Sequence, residues 1–242
     1  MIDAAKLSNP GGRDNNEDYV TIAEHGNDRC FILCDGLGGH ECGEVASSSV
    51  AEDVARLFEE KGDYATFLDD AFNMAQENLL ALQKEKNLVN AMKTTLVVLV
   101  VTDTIMKWAH IGDSRLYRFF DKGKKYQRTR DHSMVQVLCD MGEITEKDMR
   151  HHEERNKLLR VMGSEWSSKS YDKSAILERG DKQAFALMTD GFWEYVEEEE
   201  MMKLLSKTKT AKDWMEAMAK LVFERADMSK TDNLSVICVR VD

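Results

Sequence analysis

Residues 94–103 read TTLVVLVVTD, residues 105–113 read IMKWAHIGD and residues 115–129 read RLYRFFDKGKKYQRT. These apolar pieces are strand-length, rich in β-branched and aromatic residues, and separated by only a residue or two. The DKGK stretch at 121–124 has the composition of a hairpin tip, so the whole region predicts an antiparallel meander. Toward the N-terminus, YVTIAEH (19–25) and RCFILCD (29–35) predict two further strands. Between them and the meander, Val50, Val54, Leu57 and Phe58 recur at helical spacing within 43–61. Phe67, Leu68, Ala71, Ala75, Leu79 and Leu82 do the same within 63–86. Toward the C-terminus, 133–160 is polar and predicts mostly helix, with Thr145 and Asp148 spaced as in a capping box. Strands are expected at 173–178 and 182–190, helices at 197–205 and 211–226, and a closing strand at 233–241. Pairs of helices between groups of meandering strands predict a layered α+β sandwich instead of a βαβ repeat.

Composition narrows the function classes. In 242 residues, 33 Lys and Arg face 44 Asp and Glu, a formal charge of −11, which disfavours a nucleic-acid backbone or an anionic membrane as the main partner. No apolar run approaches the roughly 20 residues of a membrane span. Residues 1–18 have neither a basic nor an apolar signal region, so no secretory leader is expected. A lone proline and the lack of a Gly/Ser-rich linker predict one domain over 1–242. The five cysteines (Cys30, Cys34, Cys42, Cys139, Cys238) are odd in number and form no CxxC, which predicts buried free thiols and a cytoplasmic protein. The 14 methionines are expected to fill core, and Glu197–Glu200 to open a helix.

One regularity points to chemistry. Strand-like segments run repeatedly into an aspartate: CFILCDG at Asp35, KWAHIGD at Asp113 and AFALMTDG at Asp190, while Asp232 opens the last strand. Any single Asp-Gly is an ordinary turn. Several in the same context can gather on one rim of an antiparallel sandwich, where carboxylates repel and need a counter-charge. Hard divalent cations with oxygen ligands, Mg²⁺ or Mn²⁺, supply it.

The stretches GGRDNNEDYV, CDGLGGHECGEVAS, AHIGDSRLYR, RDHSMVQVLCDMGEIT, LMTDGFWEYV and TDNLSVICV, in this order from Gly11 to Val239, resemble the metal-dependent type-2C Ser/Thr protein phosphatases in their bacterial form. The resemblance implies a four-layer α-β-β-α sandwich of two antiparallel sheets. It implies hydrolysis of phosphoserine and phosphothreonine in proteins by direct attack of a water bridging two metal ions. By motif, Asp35 would bridge both ions and the Gly36 carbonyl would add a ligand. Asp190 and Asp232 would complete one shell; Asp18, with Glu17 acting through a water, would serve the other. Asp113 would hold a third ion. Arg13 fits a phosphate clamp, since guanidinium offers paired donors to phosphate oxygens.

The proton donor stays open. Many relatives carry a histidine directly after the bridging Asp-Gly, where this chain has Leu37; His40 follows three residues on and suits proton transfer, with a metal-bound water as the alternative. His132 is read as structural, His151 and His152 as solvated, and Asn16 and Asn233 as structural. A Gly-Thr-Thr common in relatives is Lys93-Thr94-Thr95 here. Residues 133–167 correspond to the variable flap beside the site, where partner choice is tuned. The expected partners are phosphorylated Ser/Thr proteins, opposing a Ser/Thr kinase, with the protein a monomer. The competing readings are a catalytically weak phosphoprotein-binding module of the same fold and a two-metal nuclease.

Overall fold

The computed structural model describes residues 1–37, 42–89, 91–166, 170–180 and 182–241. The strands are β1 (Ile2–Asn9), β2 (Asp18–His25), β3 (Asp28–Leu37), β4 (Lys93–Thr94), β5 (Leu96–Val101), β6 (Ile105–Ile111), β7 (Arg115–Phe120), β8 (Lys125–Arg128), β9 (Asp172–Lys173), β10 (Leu177–Glu178), β11 (Gln183–Met188) and β12 (Leu234–Val241). The helices are α1 (Cys42–Lys61), α2 (Phe67–Glu85), α3 (Met134–Asp140), α4 (Asp190–Trp193), α5 (Glu198–Lys207) and α6 (Ala211–Arg225). One sheet has the order β1-β12-β11-β7-β8 and the other β10-β6-β5-β3-β2, with β4 on β3 and β9 on β6.

The period-two alternation of side chains builds four layers from these sheets. In β5, Val97, Leu99 and Val101 enter the core between the sheets, while Leu96, Val98 and Val100 face α1 and α2. β3 repeats this: Phe31 and Leu33 point inward, Cys30, Ile32 and Cys34 toward the helices. In β12, Ile237, Val239 and Val241 fill the inter-sheet core, whereas Leu234, Val236 and Cys238 pack with Trp214 and Met218 of α6. The expected α-β-β-α sandwich is therefore what forms, each sheet burying both faces.

Several local expectations are corrected. The meander is broken: β6 lies in one sheet and β7 in the other. The chain crosses at Gly112, whose φ of 104° is open only to glycine at low cost, and an added Cβ would strike Thr95. The DKGK hairpin does form, joining β7 to β8. β1 was not anticipated; it is an edge strand paired only with β12, and its Asp, Lys, Ser and Asn content masks the alternation. α2 starts at Phe67 instead of 63 because Asp63 and the Tyr64 carbonyl are used to hold the buried Lys107 ammonium of β6, at 2.7 and 3.0 Å. The 173–178 segment breaks into β9 and β10 around Ser174, which exchanges hydrogen bonds with the Trp108 backbone. Two of the five thiols, Cys42 and Cys139, are only partly buried.

The polar 133–160 segment is less helical than expected. α3 and a single 3-10 turn, Asp148–His151, are separated by turns, one at Gly142. Thr145 and Asp148 do exchange the expected hydrogen bonds. The segment is held by charged side chains: Arg150 reaches Glu198 and the Trp193 carbonyl, and Arg155 reaches Glu194. Beneath it, Arg115 and Asp131 form a fully buried bidentate pair with bonds of 2.7 and 2.9 Å. The guanidinium also stacks 3.5 Å from the Trp193 ring. Removing one partner strands the other charge, so Asp131→Ala should cost about 3–5 kcal/mol in urea unfolding. An unchanged midpoint would contradict that role.

Candidate metal centre

The acidic residues come from loops and strand ends at one rim of the sandwich. Antiparallel pairing of β2 with β3 sets Asp18 directly opposite Asp35. The Asp35 amide donates to the Thr95 hydroxyl at 2.9 Å, and that hydroxyl meets Ser114 at 2.7 Å, which ties the end of β3 to the β6–β7 crossing that carries Asp113. Asn233 fastens the N-terminal loop to the start of β12. Its amide group donates to the Pro10 and Asn15 carbonyls at 2.9 Å each, and its oxygen accepts from the Glu17 amide at 2.7 Å. Asp190 opens α4, and a side chain at Gly191 would run into the Asn233 carbonyl, so only glycine lets Asp190 approach Asp232.

These segments enclose a cleft of about 470 Å³. Glu17, Asp35, Gly36, Asp113, Asp190 and Asp232 line it, with Arg13 at the edge and Asn156 and Leu158 of the flap on the far side. Arg13 pairs with Asp232 at 2.8 Å, both side chains remaining about half exposed, so guanidinium donors remain for an incoming anion. Asp18 lies below the cleft. One of its oxygens accepts from the Thr189 hydroxyl at 3.0 Å; the other, Oδ1, is buried with no hydrogen-bond partner.

The electrostatics follow from this crowding. Burial, and secondarily repulsion from Asp190 and Asp232, pushes Asp18 up to about 8, although the Ser235 and Thr189 hydroxyls pull it down. Asp190 is pushed to about 7 by burial, Glu194 and Asp232. Asp35 and Asp113 are raised well above the carboxylate range, chiefly by burial and then by neighbouring aspartates. Glu17 rises for the same reasons. An orphaned buried carboxylate oxygen amid acids that resist ionisation is an all-oxygen donor set suited to hard divalent cations.

Of the residues singled out from sequence, Asp18, Asp35, Gly36, Asp113, Asp190, Asp232, Glu17 and Arg13 come together here. His40 lies outside the described residues. Lys93 pairs its backbone with Leu37 and is not among the described residues lining the cleft. A second group, His110, His132 and Asp172, brings its potential ligand atoms within 4.8 Å of one another. Three of its four ring nitrogens are already used: His110 Nε2 bonds the Arg130 carbonyl, His132 Nδ1 accepts from the Gly112 amide and Nε2 meets Asp172. Three contributors escaped sequence reading: Thr189, which supports Asp18; Trp193, whose indole donates to the Asp113 carbonyl at 3.2 Å; and Asn156 of the flap. Only Thr189 and Trp193 carried a signal, their place in the LMTDGFWEYV stretch around Asp190.

A carboxylate whose folded pKa is raised binds more protons folded than unfolded, so stability is lost as pH rises from its unfolded value toward its folded one. His110 and His132, the latter lowered to about 4, act oppositely, but their gain is complete near 6.5. Chelated protein should therefore lose stability between about pH 6.5 and 8, by up to about 1.4 kcal/mol per pH unit for each affected carboxylate. Thermal melts in EDTA check this; a flat or rising profile would refute the electrostatic account.

Comparison with known proteins agrees with this geometry. The family model described as protein phosphatase 2C matches residues 11–231. The serine/threonine phosphatase stp of Listeria monocytogenes is 27% identical over 237 residues, covering 95% of this chain and 92% of that protein. The serine/threonine protein phosphatase PstP of Mycobacterium tuberculosis is 31% identical over 232 residues, covering 95% of this chain but 43% of its own length. A crystal structure of a bacterial serine phosphatase superposes with a TM-score of 0.88 at 29% identity, covering 100% of this chain and 98% of that one. The PstP catalytic domain in complex with two manganese ions gives 0.84 at 27%, with 100% and 99% covered. A chain that threads its acids into one cleft on this sandwich, and matches the family over nearly its whole length, belongs to the protein phosphatase 2C family.

Proposed function

We propose that this chain is a metal-dependent protein-serine/threonine phosphatase that hydrolyses phosphoserine and phosphothreonine esters in proteins, acting as one catalytic domain over 1–242. The observation that carries the reading is the convergence of Asp35, Asp113, Asp190 and Asp232 on one cleft, with the Asp18 Oδ1 oxygen nearby buried and unpartnered. The manganese-bound PstP domain supports Mn²⁺, with Mg²⁺ the other hard cation of the same preference. Asp35 would serve both cations, with the Gly36 carbonyl as a further ligand, and Asp190 and Asp232 are assigned to one of them. Asp35 and Asp18, with Glu17 through a water, are assigned to the second, and Asp113 to a third. Bound there, divalent cations neutralise phosphoryl charge and make a water nucleophilic near neutral pH.

The chain's own residues do the rest. Arg13, anchored on Asp232, offers its remaining N–H donors to the phosphate and fixes the ester at the mouth of the cleft. Asn156 and Leu158 close the far wall and limit what can approach the ester. Thr189 and Thr95 hold Asp18 and Asp35 in place before substrate arrives, so little reorganisation is needed on binding. Protonation of the leaving alkoxide is assigned to His40 or, as the alternative, to a metal-bound water. We further assign the protein to the cytoplasm, as a monomer opposing a Ser/Thr kinase; no helix among the described residues is long and apolar enough to cross a membrane. The complete acid set favours turnover over the binding-module reading.

Purified protein should hydrolyse p-nitrophenyl phosphate and phosphopeptides with Mn²⁺ and stop when it is chelated; binding without turnover at saturating Mn²⁺ would overturn the reading. Asp190→Ala should lower kcat by about a hundredfold or more while the protein stays folded, since losing one carboxylate relieves repulsion. Arg13→Ala should lower kcat/KM by about tenfold, mostly through KM, because it removes a charge-assisted phosphate contact. An unchanged KM would remove Arg13 from the phosphate site.

A further inference from the structure

His132 is buried against the β6–β7 crossing, and its backbone and its ring both engage one residue there, Gly112. The His132 amide donates to the Gly112 carbonyl at 2.8 Å, and the ring Nδ1 accepts from the Gly112 amide at 3.2 Å. Gly112 directly precedes Asp113 and stands at φ 104°, where it has no side chain to restrict its rotation. Bonds to both of its peptide groups therefore set the direction in which Asp113 leaves the crossing. From the other side, the Trp193 indole holds the Asp113 carbonyl at 3.2 Å. The His132 carbonyl in turn accepts from the Leu159 amide at 2.8 Å, beside Leu158, which lines the cleft. His132 is not among the described residues lining the cleft, yet it is bonded to the backbone behind two of its walls.

The ring can do this in only one protonation form. A backbone amide only donates, so Nδ1 must be the acceptor and the proton of the neutral imidazole sits on Nε2. Nε2 lies 3.2 Å from the Asp172 carboxylate, an acceptor that selects this tautomer. Asp172 is brought there by β9, whose pairing with β6 sets it opposite His110. Burial, and then the His110 ring stacked at 4.7 Å, push His132 down to about 4, so the ring stays neutral. A histidine that only filled space would be indifferent to where its proton sits; one that must accept from Gly112 is not.

We propose that Asp172 and His132 are positioning residues for Asp113: Asp172 fixes the His132 ring in its Nε2-protonated form, and that ring, through Gly112, aims the Asp113 carboxylate at the cation assigned to it. The inference rests on that assignment. Long-range ¹H–¹⁵N spectra of the full chain in EDTA should show His132 protonated at Nε2. Two near-isosteric variants separate its bonds. His132→Asn offers an oxygen in place of Nδ1 and keeps the Gly112 bond, whereas His132→Gln offers an amide in place of Nε2 and keeps only the Asp172 bond. In calorimetric titrations with Mn²⁺, affinity at the weakest site should fall about tenfold in His132→Gln and stay within about threefold of wild type in His132→Asn. Asp172→Ala, at a half-exposed position, should lower it by at least about threefold. KM for p-nitrophenyl phosphate should change by less than about twofold in all three, because none of them touches the phosphate. An Nδ1-protonated His132 in the wild type, wild-type Mn²⁺ affinity in His132→Gln or Asp172→Ala, or equal losses in the Gln and Asn variants would each overturn the inference and leave the phosphatase reading standing. A wild-type chain that binds no Mn²⁺ would overturn both. If a His132 variant does not fold, the wild-type spectrum and Asp172→Ala still decide the matter.

Discussion

Two carboxylates, Asp18 and Asp35, face each other across neighbouring strands with burial raising both their pKa values, and the architecture of the rim is built around that pair. Ionised side by side in a dry site they repel, and protonated they lose the charge that would make them ligands. Folding leaves the conflict in place because the hydrophobic layers on both sheet faces stabilise the surrounding strands, while the carboxylates occupy a small part of one rim. Cations of the kind proposed above remove the conflict by compensating the charge, so metal affinity and folding stability are linked through the same side chains.

Holding such a cluster open requires fixed scaffolding, and the hydrogen bonds around it provide that. The Thr95 hydroxyl links the Asp35 amide to Ser114, Thr189 supports Asp18, and Asn233 binds the loop before β2 to the strand that follows Asp232. Each of these groups is itself buried and satisfied, which keeps the acids from relaxing away from one another. The close approach of Gly191 to Asn233 has the same effect in steric form.

Much of this was legible in the chain. The layered sandwich followed from short continuous apolar runs such as LVVLVV, the mark of a strand buried on both faces, and from the helical spacing in 43–61 and 63–86. The aspartates stood out because each ends or opens an apolar run. What periodicity could not report was partnership: the switch of sheets at Gly112, the pairing of β1 with β12, and the claim of Asp63 on Lys107 all depend on residues far apart in sequence. The flap was misjudged for a related reason. Its polar composition suits helix as well as turns, and the choice was made by arginine contacts to distant segments.

Those arginines also constrain what the flap can be. Arg150 and Arg155 are turned onto the protein: they grip Glu198 at the start of α5, and Glu194 and the Trp193 carbonyl at the end of α4. The Trp193 ring is flanked by Arg115 and Arg150 while its N–H holds the Asp113 backbone. A flap variant that kept its loop length but lost Arg155 would leave the half-buried Glu194, just past the helix that Asp190 opens, without its cation, and loss of Arg150 would do the same to Glu198 at the start of α5. Asn156 and Leu158, which line the cleft, lie next to residues pinned in this way, so the flap wall of the cleft is set by contacts outside the cleft itself.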